Sequence, residues 1–101
     1  MRADLEFEWD PAKADANRRR HGVSFEEVTE LFTSGVDYLE IFDDEHSDDE
    51  DRFIAIGPVR DGVVLVVFTE PVEGVVRISS ARRATKAESE LFWRHTGTEN
   101  G

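Results

Sequence analysis

Apolar residues along the chain follow two spacings, and each spacing predicts a different kind of element. Alternation or short apolar runs, which are typical of β-strands, occur at residues 7–9, 36–42, 53–59, 63–68 and 75–79. The run at 63–68 is continuously apolar and largely β-branched, so we expect it in the middle of a sheet. Apolar residues also recur at intervals of three or four, the spacing of a helix, and this places Phe25, Val28, Leu31 and Phe32 on one helix face.

Start and stop signals bound three predicted helices. Asp10 and Pro11 predict the first start, as a cap and a first-turn residue, and Gly22 predicts the end of that helix. Capping boxes, in which Ser or Thr is followed three residues later by Glu, open the other two helices at residues 24–27 and 85–88. The predicted order of elements is therefore β-α-α-β-β-β-β-α.

Short turns at Asp61-Gly62 and at Gly74 join the last strands, which predicts an antiparallel meander. The expected fold class is α+β, with a meander of about four strands, an N-terminal strand, two N-terminal helices and one C-terminal helix. We expect a single domain over residues 1–101, ordered over about 6–94, with a frayed tail at 96–101.

Charge is unevenly distributed along a strongly acidic chain. The 101 residues include 23 Asp or Glu and 12 Lys or Arg, for a formal net charge of −11. Residues 43–51 hold seven carboxylates, a run that predicts either a solvated, mobile loop or an acidic patch that meets a basic partner. The overall acidity opposes bulk electrostatic attraction to nucleic acid.

Composition also excludes several classes of protein. The chain has no cysteine, so disulfides and thiolate metal sites are excluded. No apolar run approaches the roughly 20 residues of a membrane span. The first six residues lack the apolar segment of a secretory signal. We therefore expect a cytoplasmic protein that does not associate with membranes.

Cations concentrate around the end of the last predicted strand, within the ten residues that contain Arg77, Arg82, Arg83 and Lys86. Alternation predicts that Arg77 and Ser79 face one side of that strand while Ile78 and Ser80 face the other. Arg82 is expected at the junction between strand and helix. Such a cluster on an acidic chain indicates an anion-binding site, for which RNA phosphate is one candidate.

Arg52 begins another predicted strand, so Arg52, Arg77 and Arg82 are candidates to converge on one surface of the sheet. Guanidinium groups at such a surface bind phosphate bidentately and remain protonated. The alternative is that they form ion pairs with Glu70, with Glu88 or with the acidic run. The sequence leaves both interpretations open.

Other kinds of site have weaker signals. His21, His46 and His95 have no second ligand at helical spacing, so neither a metal site nor a cofactor is expected. The glycines occur singly and form no phosphate-binding loop. No nucleophile elbow is present, and the sequence leaves open whether Ser79 and Ser80 lie near His21.

Taken in order, five motifs resemble the BrnT family of ribonuclease toxins. They are FEWDPxKxxxNxxxHGVSFEE at 7–27, DxH at 44–46, RFxAxG at 52–57, VFTE at 67–70 and RxxSARxAxxxE at 77–88. The chain departs from the family pattern at Pro71, where arginine is usual, at Arg20, where lysine is common, and at Ser79, where isoleucine is common.

The resemblance implies a RelE-like fold and the toxin role of a type II toxin–antitoxin system. Toxins of this family cleave RNA without a metal and slow translation. Their partner is a BrnA-type antitoxin with a ribbon-helix-helix DNA-binding part, and the complex represses its own operon. The resemblance therefore implies RNA as substrate, DNA contact only through the antitoxin, and a dimer or a hetero-oligomer with the antitoxin.

The hypothesised mechanism is attack on phosphorus by the 2′-hydroxyl of the RNA itself, with cations offsetting the charge that builds on phosphorus. The expected catalytic residues are Arg52, Arg77, Arg82 and His21, the last because imidazole is well suited to moving a proton near neutral pH. Less favoured candidates for proton transfer are Glu70 and Glu88. Further RNA contacts are expected from Arg83 and Lys86. The alternative function is a partner-binding module with weak or lost nuclease activity, which acts in the antitoxin complex and in regulation of the operon.

Overall fold

The structure is a computed structural model that describes residues 5–46 and 50–96. Within these ranges the chain forms five β-strands and three α-helices. The strands are β1 (Glu6–Glu8), β2 (Leu39–Phe42), β3 (Arg52–Val59), β4 (Gly62–Val72) and β5 (Val75–Arg83). The helices are α1 (Pro11–His21), α2 (Phe25–Thr33) and α3 (Lys86–Thr96). The predicted frayed tail, apart from Thr96, and the middle of the predicted acidic loop lie outside the described residues.

A single five-stranded sheet has β4 at its centre, as the apolar run of that strand predicts. The strand order is β1-β5-β4-β3-β2, and β2 to β5 pair antiparallel with their sequence neighbours in the predicted meander. β1 pairs with β5 in parallel. The arrangement of two helices before the meander and one after it confirms the predicted α+β fold.

Hydrogen bonds at the caps confirm the predicted helix starts. Asp10 accepts a hydrogen bond from the Ala12 N–H at 2.9 Å. At the start of α2, the Glu27 N–H donates to Ser24 Oγ at 3.0 Å, and the Ser24 N–H donates to Glu27 Oε1 at 3.1 Å. These bonds satisfy N–H groups that the first turn of a helix leaves unpaired, which is why local sequence is sufficient to locate them.

The sheet has an apolar core on each face. Phe25 and Leu31 of α2 are fully buried against one face, together with Phe68 of β4. Phe92 of α3 packs on the opposite face with a second cluster that contains Ile56. We call these two sides the α2 face and the α3 face. The helices therefore divide the sheet residues into two sets, which alternate along the strands wherever the pairing is regular.

β2 begins at Leu39, three residues later than the sequence predicts. Tyr38 lies close to Gly57, where an added Cβ would be only 2.7 Å from Tyr38 Cβ. Leu39 pairs with Ile56, the residue before that glycine. The chain thus passes over Gly57 at close range before it enters the sheet, which explains why residues 36–38 do not extend the strand.

β5 continues four residues beyond its predicted end, so Arg82 lies within the strand and the predicted position at the strand–helix junction is wrong. β4 is long enough to provide partners for the extension, since Leu65 pairs with Arg82 and Val64 pairs with Arg83. Paired residues on neighbouring strands point to the same side of a sheet. Because Leu65 belongs to the α3-face core and Val64 to the α2-face core, Arg82 and Arg83 lie on opposite faces.

A β-bulge interrupts β5. Val67 pairs with Ser80 whereas Phe68 pairs with Ile78, which leaves Ser79 as the extra residue. Ile78 and Ala81 both belong to the α2-face core, so the two serines between them both face the α3 side. The predicted alternation, with Ser80 on the same side as Ile78, is wrong here because the bulge adds one residue to the strand.

Candidate functional site

Two of the predicted arginines lie in one row across the sheet. Arg52 of β3 pairs with Thr69 of β4, and Thr69 pairs with Arg77 of β5. We call Arg52, Thr69 and Arg77 the arginine row. Because adjacent strands are about 4.8 Å apart, the Cα atoms of the two arginines are separated by about 10 Å. Two guanidinium groups at this separation can approach the same phosphate.

Thr69 forms the floor of this row, and the sequence interpretation assigns it no role. Thr69 is buried, with only 5 % of its surface exposed, and its hydroxyl has no hydrogen-bond partner among residues 5–46 and 50–96. Buried hydroxyl groups are usually hydrogen-bonded. An unsatisfied donor between two arginines is therefore a second feature of the row that suits an anion.

Arg77 is held at the surface by Glu8 of β1. Its guanidinium donates a hydrogen bond to Glu8 Oε2 at 2.6 Å, and its side chain is still 53 % exposed. The parallel pairing of β1 with β5 places Glu8 beside Arg77. This ion pair orients Arg77 in the free protein, and its exposure leaves the guanidinium accessible to a competing anion.

Arg82 lies on the same face as Arg77, five residues further along β5, which corresponds to at most about 17 Å. Its guanidinium forms two hydrogen bonds with Glu88, at 2.8 and 3.0 Å. Glu88 also caps α3, because Oε1 accepts a hydrogen bond from the Thr85 N–H at 2.9 Å. Arg82 is thus separated from the arginine row and is engaged in attaching α3 to the sheet.

The hydrogen bonds from Arg82 lower the pKa of Glu88 to about 2, with a further contribution from the Thr85 N–H and against the effect of burial. The same pair raises the pKa of Arg82. A carboxylate with so low a pKa is a poor proton carrier near neutral pH. The contacts therefore favour a positioning role for Glu88 over the proton transfer that the sequence suggests.

Glu88→Gln is expected to reduce the pH dependence of stability in acid. Because the pKa of Glu88 is lower in the folded state than its ordinary value of 4.5, the pair stabilises the fold above about pH 4.5 and loses that contribution as the pH falls towards 2. After discounting for solvent screening, we expect a difference of about 1 kcal/mol between the two proteins at pH 7.

Urea unfolding of wild type and Glu88→Gln at several pH values between 7 and 2 measures this difference. The remaining carboxylates titrate in both proteins, so their effect cancels in the comparison. A difference in the free energy of unfolding that stays constant over the whole range would contradict the assignment.

The other predicted residues occupy separate positions. Arg83 is on the α2 face, where its guanidinium donates to the Asp61 carbonyl at 3.1 Å and supports the β3–β4 turn. Lys86 is the exposed first residue of α3. Glu70 accepts a hydrogen bond from the Gly74 N–H at 3.1 Å across the β4–β5 turn. The structure does not bring Arg83 or Lys86 to the arginine row, whereas Glu70 directly follows Thr69 in β4.

His21 lies in a groove between α1 and the edge of β5. β1 pairs only with Val75–Arg77 of that edge, and α1 follows the rest of it. We call this cleft the α1 groove; its lining residues are Lys13, Ala16, Asn17, Arg20, His21, Ser79 and Ser80. The groove brings His21 and the two serines together, a proximity that the sequence leaves open.

A second cleft, of about 450 Å³, adjoins the α1 groove on the side of Arg77. It shares Lys13 and Ser79 with the groove, and Arg77 forms part of its wall. Glu8 and Asp10 supply its carboxylates. Arg77 therefore belongs both to the arginine row and to this second cleft, which adjoins the groove that contains His21.

Asn17 attaches α1 to the sheet. Its Nδ2 donates to the carbonyls of Ala81 at 2.8 Å and Val23 at 3.1 Å, and its Oδ1 accepts from the Ala81 N–H at 3.1 Å. Asn17 is the buried residue of α1. Its amide thus occupies the backbone groups of β5 that a neighbouring strand would otherwise bind, and it fixes the width of the groove.

Helical spacing gives the sequence signal for the groove, since Lys13, Asn17, Arg20 and His21 recur along one side of α1. That signal does not identify the strand that faces them. In the described part of the chain, no group of three His, Asp or Glu residues is arranged to hold a metal ion. Nor is any described helix long and apolar enough to span a membrane.

Comparison with known proteins agrees with this architecture. The fold is similar to the crystal structure of the Brucella abortus ribonuclease toxin BrnT, with a TM-score of 0.63 over 81 % of this chain and 99 % of that one. The two sequences are 24 % identical, so this likeness concerns the fold alone, for which RelE-like is a suitable label. No curated protein matches the chain. The family model described as "Ribonuclease toxin, BrnT, of type II toxin-antitoxin system" matches residues 9–88, and the chain therefore belongs to the BrnT family of ribonuclease toxins.

Proposed function

We propose that this protein cleaves RNA without a metal ion, by attack of the RNA 2′-oxygen on the adjacent phosphorus. A P–O bond forms to the 2′-oxygen, and the P–O bond to the 5′-oxygen breaks. The products are therefore a 2′,3′-cyclic phosphate and a 5′-hydroxyl. The 2′-hydroxyl loses a proton, and the leaving 5′-oxygen gains one. The observation that carries the proposal is the pairing of Arg52, Thr69 and Arg77 in one row on an accessible face of the sheet.

Arg77 and Arg52 hold the scissile phosphate in this proposal. The phosphate takes the place of Glu8 on Arg77, which is possible because the Arg77–Glu8 pair is solvent-exposed on both sides. Fixed guanidinium groups then stabilise the negative charge that builds on phosphorus in the transition state. Arg82 adds positive charge to the same face but chiefly positions α3 through Glu88.

His21 is the proposed proton carrier, because it lies in the groove that leads to Arg77. Imidazole both accepts and donates a proton near neutral pH, as the two halves of the reaction require. Glu70 is the alternative among the predicted residues, although its contact with the Gly74 N–H gives it a structural role in the turn.

Purified protein is expected to cleave single-stranded RNA in excess EDTA and to leave 2′,3′-cyclic phosphate ends. An otherwise identical oligonucleotide with one 2′-deoxy position is expected to resist cleavage at that position, because it lacks the nucleophile. Product ends are identified by mass spectrometry. Activity abolished by EDTA and restored by Mg²⁺, or cleavage at the 2′-deoxy position, would overturn the proposal.

The partner proposed for this toxin is a BrnA-type antitoxin with a ribbon-helix-helix part. Membership of a type II family supports an antitoxin partner, and the acidic surface suits a basic protein. RNA cleavage would slow translation in the cytoplasm, and DNA would be contacted only through the antitoxin in a hetero-oligomer. Growth arrest on expression of the toxin alone, relieved by co-expression of a BrnA-type antitoxin, tests the toxin role and the partner.

A partner-binding module with weak nuclease activity is the second candidate. It is favoured by the carboxylate partners that Arg77 and Arg82 already have, and by Pro71 at a position where the family usually has arginine. Normal growth in the presence of folded toxin would support this candidate. Growth arrest would favour the nuclease.

A further inference from the structure

We propose that the α1 groove binds a second phosphate of the RNA chain, next to the one held at the arginine row, with Lys13 and Arg20 as its cationic ligands. The inference rests on the proposed function, because it extends the path of the same RNA strand. It assigns a binding role to residues for which the sequence indicated none.

The pairing of charges along α1 supports this assignment. Arg18 and Arg19 both form ion pairs with Asp15 on the outer side of the helix. Lys13 and Arg20, in contrast, have no ion pair with any carboxylate in the described part of the chain, although acidic residues outnumber basic ones by 23 to 12. Two cations that have no carboxylate partner among residues 5–46 and 50–96 indicate a site that an external anion neutralises.

Hydroxyl donors complete the opposite wall of the groove. The bulge in β5 turns both Ser79 and Ser80 towards the α3 side, and both serines line the groove. Neither hydroxyl makes a hydrogen bond within residues 5–46 and 50–96. Serine hydroxyls are common phosphate ligands beside Lys and Arg, and such contacts position a nucleic acid without reading its sequence.

The carboxylates nearby are engaged in the free protein. Asp10 caps α1 through the Ala12 N–H, and Glu8 pairs with Arg77. Both line the neighbouring cleft, and neither lines the groove itself. Lys13 and Arg20 are seven residues apart, which at the rise of an α-helix is about 10 Å along its axis. Their charges therefore flank the groove over the length of a short stretch of backbone.

Binding of DNA oligonucleotides, which lack the nucleophile, tests the groove separately from cleavage. Fluorescence anisotropy with single strands that contain one, two or three phosphates gives the affinity at several salt concentrations. For wild type we expect the affinity to rise between one and two phosphates. In Arg20→Ala we expect the second phosphate to increase the affinity by about tenfold less than it does in wild type. We also expect the slope of log affinity against log salt concentration to be less steep by about 0.7, the value for one phosphate contact with a single strand.

Arg19→Ala is the matched control, because it removes the same charge from the adjacent position of the same helix. It is expected to leave unchanged both the affinity increase from the second phosphate and the dependence of the affinity on salt concentration. Arg19→Ala is also expected to leave RNA cleavage unchanged, since Arg19 pairs with Asp15 and does not line the groove. Equal losses in Arg19→Ala and Arg20→Ala would reduce the effect to net charge and overturn the inference.

Failure of this inference is distinguishable from failure of the proposed function. If wild type cleaves RNA but Arg20→Ala binds and cleaves every length like wild type, the groove proposal is wrong and the nuclease proposal stands. If Arg20→Ala loses the second-phosphate gain while wild type cleaves nothing, the groove stands as a nucleic-acid site and the nuclease proposal is wrong.

Discussion

Arg77→Ala is expected to lower kcat for RNA cleavage by about 10²- to 10³-fold, the usual effect of removing one group that stabilises developing charge. Arg77 is the residue shared by the arginine row and the cleft that leads to His21. Its side chain is more than half exposed, and its partner Glu8 is also near the surface, so the fold should tolerate the change. Steady-state cleavage of a fluorescent oligonucleotide measures kcat and KM separately.

Arg83→Ala is the control for this variant. It removes the same charge from the same strand, but on the α2 face, where Arg83 contacts the Asp61 carbonyl. We expect kcat to stay within about twofold of wild type, because the residue is not near the proposed reaction centre. A comparable loss of activity in both variants, or an active Arg77→Ala protein, would remove Arg77 from the mechanism.

Asn17→Ala is expected to lower the free energy of unfolding by about 3 kcal/mol, because it removes three hydrogen bonds and leaves the N–H and C=O of Ala81 without their partner. For a domain of this size that is a large fraction of the total stability. Urea denaturation followed by tryptophan fluorescence measures it, since Trp9 packs edge-on against Phe25 at 5.8 Å beside α1.

Arg18→Ala provides the comparison within the same helix. Arg18 is exposed and pairs with Asp15 at the surface, so the change in the free energy of unfolding should be within about 0.5 kcal/mol. A loss below about 1 kcal/mol in Asn17→Ala would mean that water replaces the amide in its hydrogen bonds, and that α1 is attached by other contacts.

Elements with local signals were predictable from the sequence. The Thr85–Glu88 capping box forms as predicted, with the Glu88 N–H donating to Thr85 Oγ1 at 3.1 Å. The apolar run that begins at Val63 forms the central strand because it can be buried on both sides. Each of these features depends on residues within a few positions of one another, so the chain pattern contains the necessary information.

The position of α1 was not predictable in the same way. The helix has no apolar face, and its buried residue is Asn17. Hydrophobic periodicity therefore gives no indication of the surface on which it packs. Its location depends on the unpaired edge of β5 beyond Arg77, which exists only because β1 is three residues long. The α1 groove follows from that tertiary arrangement, and so does the proximity of His21 to Ser79 and Ser80.

The candidate site was predictable only in part for a related reason. Regular alternation along β5 would place Arg83 on the side of Arg77 and Arg82 on the other side. The bulge exchanges these two arginines, and a single sequence contains no clear sign of a bulge at a pair of serines. The row formed by Arg52 and Arg77 likewise depends on the register of β3 with β4, which the lengths of the turns determine.

The bulge also gives β5 an unusual tolerance to a change in chain length. In a regular strand, loss of one residue inverts the sidedness of every residue that follows. In β5, two residues lie opposite Val67 because of the bulge. A deletion of Ser79 would remove the bulge and restore regular pairing, so Ala81, Arg82 and Arg83 would stay on their present faces of the sheet. Homologues that lack one residue at this point would thus keep the same charged residues on each face of the sheet. A one-residue gap there in an alignment would not change the fold.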